Sequence, residues 1–198
     1  IPTIIGAAFT SSLAAYAFAR LRAPGKNLIF MLVLSTLMLP AIVTMVPTYI
    51  VFAKLQWVGT FKPLVIPALA GNAFNIFLLR QFFMTIPREL EDAALIDGAN
   101  RLQILWKVIL PNARPALAAV AIFNFQGVWN DFLYPLVFLH KQSNYTIALG
   151  LSFYRSMYSV NWGYLMAASV VTLLPMVVIF FLAQKTFIEG ISFSGIKG

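Results

Sequence analysis

Residues 86–100 read Ile86-Pro-Arg-Glu-Leu-Glu-Asp-Ala-Ala-Leu-Ile-Asp-Gly-Ala-Asn100, and Arg101-Leu-Gln-Ile-Leu-Trp-Lys-Val-Ile-Leu-Pro111 follows them. Pro87 suits the first turn of a helix, and the carboxylates that come after it complement the positive end of the helix dipole. Gly98 can turn the chain sharply because it lacks a Cβ atom. The stretch therefore predicts a short helix, a bend at Gly98, and a second amphipathic stretch that Pro111 closes.

Long apolar segments lie on both sides of this loop. The chain has 198 residues, of which 61% are hydrophobic and 10% charged, whereas a soluble domain is about 45–50% apolar and about 25% charged. A helix that spans a bilayer needs about 20 mostly apolar residues. Five segments meet this requirement, at about residues 4–19, 28–51, 63–79, 115–139 and 163–183. The sequence therefore predicts an all-α, polytopic bundle of membrane helices that forms a single domain over residues 1–198.

The basic residues indicate how these spans are oriented, because cytoplasmic connections are enriched in Lys and Arg. Ten basic residues lie in the connections on one side of the membrane: Arg20, Arg22, Lys26, Arg80, Arg88, Arg101, Lys107, Arg114, Lys185 and Lys197. Four lie on the other side: Lys54, Lys62, Lys141 and Arg155. The loop at residues 80–114 is therefore expected in the cytoplasm, with Arg20 reaching towards the lipid headgroups. The net charge of +8 reflects this asymmetry and does not indicate nucleic-acid binding.

The start of the chain does not resemble a natural N-terminus. It begins Ile1-Pro2 without an initiator Met or a signal peptide, and the predicted orientation places this end outside the cell. We expect an N-terminally truncated chain that has lost an earlier span.

The sequence lacks the residues that several kinds of chemistry require. It has no Cys and one His, which argues against thiol chemistry and against a metal site in this chain. No phosphate-binding G-x-x-x-x-G-K-[ST] loop is present. We therefore expect no catalytic residues, no cofactor and no ATP hydrolysis in this chain.

Polar residues inside the apolar segments are candidates for a solute path, because such residues usually face a partner or a water-filled cavity. Aromatic rings beside amides suit a sugar, which has an apolar C–H face and a rim of hydroxyl groups. The candidates are Asn72, Asn75, Asn124, Gln126, Trp129, Asn130, Asp131 and Tyr134. The alternative is that Asn130 and Asp131 cap or brace a helix that bends near Pro135.

Small residues recur every four positions in the first segment, at Ala7, Ser11, Ala15 and Ala19. Small residues allow close helix packing in membranes. The stripe predicts a contact either with a partner subunit or with another helix of the same chain.

The sequence Glu91-Asp-Ala-Ala-Leu-Ile-Asp-Gly-Ala99, with Ile109-Leu-Pro111 ten residues further on, resembles the EAA loop of permease subunits in binding-protein-dependent ABC importers. Three other stretches resemble the carbohydrate branch of that family, which includes the second permease of maltose importers. They are Ile86-Pro-Arg-Glu-Leu90, Trp129-Asn-Asp-Phe-Leu-Tyr-Pro-Leu136, and Phe187-Ile-Glu-Gly-Ile191 with Gly195-Ile-Lys-Gly198. Asp92 stands where the motif usually has Glu, with Glu91 just before it, so either carboxylate can fill the motif's role.

The resemblance implies a type I ABC importer permease, a fold that usually has six spans. It implies that the EAA loop, residues 86–111 here, couples the membrane domain to a cytoplasmic ATPase. The residues that would make this contact are Glu91, Asp92, Ala93, Ala94, Asp97 and Gly98.

The partners implied by the resemblance are a second permease, two ATPase subunits that bind ATP and Mg, and an extracytoplasmic solute-binding protein. Tyr154 and Tyr158, in the predicted outer loop at residues 140–162, would contact the binding protein; alternatively they belong to an interfacial aromatic belt. The expected function is import of a sugar or sugar-like solute by alternating access across the cytoplasmic membrane of a prokaryote.

Three alternatives to sugar import remain at this point. The chain fits an ABC permease for another polar solute, since the EAA loop does not encode the substrate. It also fits a secondary transporter, or a structural membrane subunit whose polar residues only brace helices.

Overall fold

The computed structural model describes residues 1–154 and 160–192, without the side chains of residue 183 and residues 185–192. The α-helices in this part of the chain are α1 (Pro2–Arg20), α2 (Lys26–Ser35), α3 (Ala41–Lys54), α4 (Lys62–Leu69), α5 (Ala73–Thr85), α6 (Glu89–Ile96), α7 (Arg101–Ile104), α8 (Leu110–Asn112), α9 (Arg114–Trp129), α10 (Leu133–Phe138), α11 (Ile147–Gly150) and α12 (Trp162–Ser192). Short 3₁₀ turns follow α2, α10 and α11, and a π-helical segment, Leu105–Ile109, joins α7 to α8. The predicted all-α fold is confirmed.

Membrane-spanning length is reached in three places within the described residues. These are Pro2–Arg20, Lys62–Thr85 and Trp162–Leu182, and two bent helix pairs raise the number of possible spans to five. The five predicted segments therefore each correspond to helical structure. The first agrees closely with α1 and the fifth with the span Trp162–Leu182, although α12 itself continues to Ser192.

The second predicted segment is wrong as a single helix. α2, with its 3₁₀ turn, and α3 meet at an angle of 97°. The bend lies at Leu39, which is extended (φ −81°, ψ 117°), directly before Pro40. A residue that precedes proline is driven out of the helical region by the proline ring, which explains the break.

The third and fourth predicted segments are also interrupted. Gly71, with φ of 75°, separates α4 from α5. α9 ends at Trp129, so Asp131 lies beyond its end and α10 is a separate short helix. The stretch that was expected to close at Pro111 continues to Asn112 and then bends by 81° into α9. Its π-helical turns directly precede the proline and provide the local irregularity that a proline needs inside a helix.

The core forms where α1 packs against α5, α4 and α9. Ala7, Ser11, Ala15 and Ala19, which form the small-residue stripe, are all buried inside the chain. The stripe therefore serves packing within the chain. The same core includes Ile86 and residues of the π-helical segment, so the loop between α5 and α9 is joined to the long helices by apolar packing.

Two glycines permit the closest helix contacts. A Cβ atom on Gly6 would lie 2.3 Å from Cδ2 of Leu69, and one on Gly71 would lie 2.5 Å from Oγ of Ser11 and 2.9 Å from Oγ1 of Thr10. Thr10 also donates a hydrogen bond to the carbonyl of Leu69, at 2.9 Å. Close approach of α1 to the end of α4 is thus possible only because these positions lack side chains.

Gly71→Ala is expected to lower the free energy of unfolding by about 2–4 kcal/mol, since it adds left-handed backbone strain to a steric clash. The matched control is Gly59→Ala, because Gly59 has a similar φ of 85° but a Cβ atom there meets nothing within 4 Å. Thermal unfolding of both variants in detergent measures the difference. Equal losses of stability in the two would contradict the close approach of α1 to Gly71.

Candidate functional site

The loop that joins α5 to α9 contains the short helix and the bend that its sequence predicts. α6 begins at Glu89 with its acidic first turn and ends at Ile96. Gly98 has φ of 81°, and its amide donates to the carbonyl of Leu95 at 3.0 Å. The prediction for this part of the loop is confirmed.

A capping box starts the helix after the bend. The side-chain oxygen of Asn100 accepts from the amide of Gln103 at 2.9 Å, and the side-chain oxygen of Gln103 accepts from the amide of Asn100 at 2.8 Å. The sequence analysis did not identify this motif, although Asn-x-x-Gln is its usual signature. The box fixes the direction in which α7 leaves Gly98.

The predicted coupling residues fall on two sides of α6. Asp92, Ala93, Asp97 and Gly98 are exposed, together with Ile96. Ala94 is half-buried and packs against the core, and Glu91 is buried. α6 therefore has an exposed face with Asp92, Ala93 and the apolar Ile96, while its other face is held against the chain.

Glu91 forms an ion pair with Arg20, the last residue of α1. Nε of Arg20 lies 2.8 Å from Oε1 of Glu91, and the two side chains are only 4% and 7% exposed. Nη2 of the same guanidinium donates to the backbone carbonyls of Phe83 and Ile86, at the end of α5. The expectation that Arg20 reaches towards the lipid headgroups is wrong, because these three acceptors hold it inside the protein.

A polar cavity of about 510 Å³ opens beside this ion pair. Its walls carry four guanidinium and two carboxylate groups: Arg20, Arg22, Arg88, Arg101, Glu91 and Asp92. Asp92 therefore lies at an accessible, charged edge of α6, where polar groups of another protein can reach it.

Within the membrane region, the predicted path residues of α5 take part in helix contacts. The side-chain oxygen of Asn72 caps α5 by accepting from the amide of Asn75 at 2.8 Å. Asn75 is 1% exposed, and its Nδ2 donates to Oδ1 of Asn124 at 3.2 Å. The geometry favours a bracing role between α5 and α9 for Asn75 and Asn124, and their place on a solute path stays a prediction.

The predicted path residues near the end of α9 have a mixed arrangement. Nε1 of Trp129 donates to the carbonyl of Thr172 at 3.0 Å, which links α9 to α12. Nδ2 of Asn130 donates to the carbonyl of Gln126 at 2.9 Å, and Oδ1 of Asp131 accepts from the amide of Tyr134 at 3.2 Å. The last two bonds cap the break between α9 and α10, as the capping alternative predicts.

A small cavity of about 110 Å³ lies against Trp129 and Asn130. Ser169 and Thr172 of α12 line its far wall, and a neighbouring cavity of about 530 Å³ extends from Trp129 and Thr172 to Tyr154. The sequence analysis missed Ser169 and Thr172, although their three-residue spacing places both on one face of a helix. An indole, an amide and two hydroxyl groups therefore line the smaller cavity. The hydroxyls of Ser169 and Thr172 also donate to the carbonyls of Leu165 and Ser169 in their own helix.

Of the two aromatic residues predicted to contact a binding protein, the structure describes one. Tyr154 is exposed, and its ring centroid lies 6.2 Å from that of Tyr164. Tyr158 lies outside the described residues. A contact of either residue with another protein stays a prediction.

Comparison with known proteins identifies the family. Residues 7–192 match the family of binding-protein-dependent transport system inner membrane components. The chain belongs to this family. It is a permease, a membrane-embedded transport subunit.

Two similar proteins are both named as permeases of transport systems. It is 39% identical to the arabinooligosaccharides transport system permease protein AraQ of Halalkalibacterium halodurans, over 95% of this chain and 67% of that protein. It is also 39% identical to the sn-glycerol-3-phosphate transport system permease protein UgpE of Yersinia pestis, over 94% of this chain and 67% of that protein. These matches confirm the predicted resemblance to ABC importer permeases.

A solved structure shows the same fold. The permease superposes on a chain of a bacterial ABC transporter involved in the import of the acidic polysaccharide alginate, with a TM-score of 0.80 and 28% identity, covering 93% of the permease and 71% of that chain. The predicted fold of an ABC importer permease is therefore confirmed.

The amide contact between α5 and α9 can be tested by substitution. Asn75→Ala is expected to lower the free energy of unfolding by about 1–2 kcal/mol, because it removes an interhelical hydrogen bond and leaves the Asn124 amide without that partner. Asn112→Ala is the control, since the exposed Asn112 bonds only to the carbonyl of Val108 in its own helical stretch. Denaturation in mixed micelles compares the two variants, and equal stabilities would argue against the brace.

Proposed function

We propose that the permease is one of two membrane subunits of an ATP-driven importer for a sugar or sugar-like solute. The observation that carries the proposal is the exposed face of α6, which has small side chains, accessible carboxylates and a fixed bend at Gly98. The small, exposed Ala93 allows another protein to approach closely, and the carboxylates Asp92 and Asp97 can pair with basic groups. This face suits a cytoplasmic ATPase subunit.

The sequence carries no phosphate-binding loop of its own. ATP and Mg are therefore assigned to two separate ATPase subunits, and this chain contributes no cofactor site. ATP binding would bring the two ATPase subunits together and move the α6 helices with them, and the membrane cavity would then switch between its inward- and outward-facing states. A binding protein would deliver the solute from outside, with the region around Tyr154 as its contact.

Two observations support a sugar or a related polyol as the solute. The named relatives transport arabinooligosaccharides and sn-glycerol-3-phosphate, and the cavity at the end of α9 combines an aromatic ring with amide and hydroxyl groups. Stacking of an apolar sugar face on Trp129 and hydrogen bonds from Asn130 would orient such a ligand. The family argues against an importer driven by an ion gradient and against a purely structural subunit.

The assembly would lie in the cytoplasmic membrane of a prokaryote, with its partners on both sides. Positive charges are concentrated on the side of α6, which supports a cytoplasmic position for α6, where it would meet the ATPases. The second permease would cover membrane-facing surface of this chain, and lipid would cover the remainder.

Gly98→Val is expected to abolish uptake and to reduce ATPase co-purification by about tenfold, because a β-branched residue disfavours the positive φ that sets the bend. Gly59→Val is the matched control, since both glycines have φ above 80° and a Cβ atom at either position would meet nothing within 4 Å. Both variants should insert equally, and only the α6 variant should lose its ATPase. Normal solute uptake and normal ATPase co-purification in Gly98→Val would contradict the assignment of α6 to coupling.

Asn130→Ala is expected to raise the KM for the solute by about fivefold, because one hydrogen bond to the solute is worth about 1 kcal/mol. Asn112→Ala is again the control, as it removes an asparagine with the same bond to a carbonyl four residues earlier. Uptake by reconstituted vesicles, with assembly checked by co-purification, gives the readout. An unchanged KM in Asn130→Ala would remove this residue from the solute path.

A further inference from the structure

We propose that Arg20 and Glu91 form an internal tie that makes α6 move as one body with α1 and α5. Glu91 is then a positioning residue that transmits movement into the membrane domain, while the neighbouring Asp92 is free for the ATPase. The inference rests on the proposed coupling role of α6 and assigns different tasks to two adjacent carboxylates.

One guanidinium joins three elements. Arg20 ends α1, Glu91 lies in the first turn of α6, and the two carbonyls that accept from Nη2 belong to the end of α5. The last carbonyls of a helix lack partners within the helix, and a cation placed there also interacts favourably with the negative end of the helix dipole. Arg20 is therefore held at the end of α5 independently of Glu91, and Glu91 attaches α6 to that fixed point.

Burial makes this tie stiff and specific. Solvent screens a buried ion pair much less than a surface pair, and removal of one partner leaves an uncompensated buried charge. Among the described residues this is the one salt bridge, although four of the chain's six carboxylates lie in residues 89–97. The pairing is thus selective for the carboxylate on the inward face of α6.

The neighbouring charges do not provide an equivalent replacement. Arg88 and Arg101 line the adjoining cavity, yet both are exposed, so a pair between either of them and Glu91 would be screened by solvent. Among the described residues, it is the side chain of Arg20 that bonds to the carbonyls of Phe83 and Ile86 at the end of α5. A substitute pair would therefore hold α6 more loosely and without the link to α5.

The test separates mechanical coupling from stability by removing one charge and then both. Glu91→Gln or Arg20→Gln alone leaves a buried charge and should lower the thermal stability of the assembled importer. The double variant Arg20→Gln/Glu91→Gln leaves no unpaired charge, so its stability should exceed that of either single variant, although the bonds from Arg20 to the carbonyls of Phe83 and Ile86 remain lost. Solute transported per ATP hydrolysed should nevertheless remain at least about fivefold below wild type in the double variant, a loss within the range that substitutions in coupling networks produce.

Glu89→Gln is the matched control, because Glu89 is an exposed carboxylate of the same helical turn. It should keep both stability and the transport-to-hydrolysis ratio. ATPase co-purification should stay at the wild-type level in Glu91→Gln and fall in Asp92→Asn. Recovery of both stability and coupling in the double variant would overturn the proposed tie and leave the ion pair a purely structural role. Loss of the ATPase in Glu91→Gln would also overturn the tie, because Glu91 would then be a contact residue.

Amide hydrogen exchange provides a readout that does not depend on transport. In the nucleotide-free assembly, exchange across residues 89–97 should accelerate by about tenfold in Glu91→Gln and remain unchanged in Glu89→Gln. Unchanged exchange in Glu91→Gln would contradict the tie even if the coupling role of α6 is correct. Failure of the coupling role alone would appear differently, as normal ATPase binding in the Gly98 and Asp92 variants.

Discussion

Helices in a bilayer gain little from apolar burial against one another, because lipid tails are as apolar as leucine side chains. α1 instead reaches α4 and α5 through positions without bulk, at Gly6, Gly71 and the buried alanines of its stripe. This close approach fixes the position of the C-terminal end of α1 relative to α5. It thereby places Arg20 beside the last carbonyls of α5. The position of the loop between α5 and α9 thus depends on steric contacts between the long helices.

Local patterns in the sequence predicted those features that local physics decides. The helix from Glu89, the bend at Gly98 and the extents of α1 and of the span Trp162–Leu182 follow from proline, glycine, carboxylates and uninterrupted apolar runs. The 97° bend at Pro40 was not predicted, because membrane helices tolerate many prolines and the sequence does not show which one separates two helices.

The partners of individual side chains depend on tertiary structure and were not predictable. Arg20 and Glu91 are 71 positions apart, and a single sequence gives no signal that they meet. Likewise, a single sequence does not reveal that the amides of Asn75 and Asn124 share a hydrogen bond. Asn72 and Asp131 cap their own segments through bonds that span only three positions. The sequence analysis considered this role for Asp131 but not for Asn72.

The early end of α9 has a consequence for the surrounding membrane. Its 16 residues extend about 24 Å, which is less than the roughly 30 Å thickness of the hydrocarbon layer. The break at Asn130 therefore falls at a depth where lipid alone cannot satisfy its polar groups. The side chains of Asn130 and Asp131 satisfy part of this need by bonding to the backbone on either side of the break. Lipid alone therefore cannot cover the protein surface at this depth, and water or neighbouring protein must complete the hydrogen bonding there.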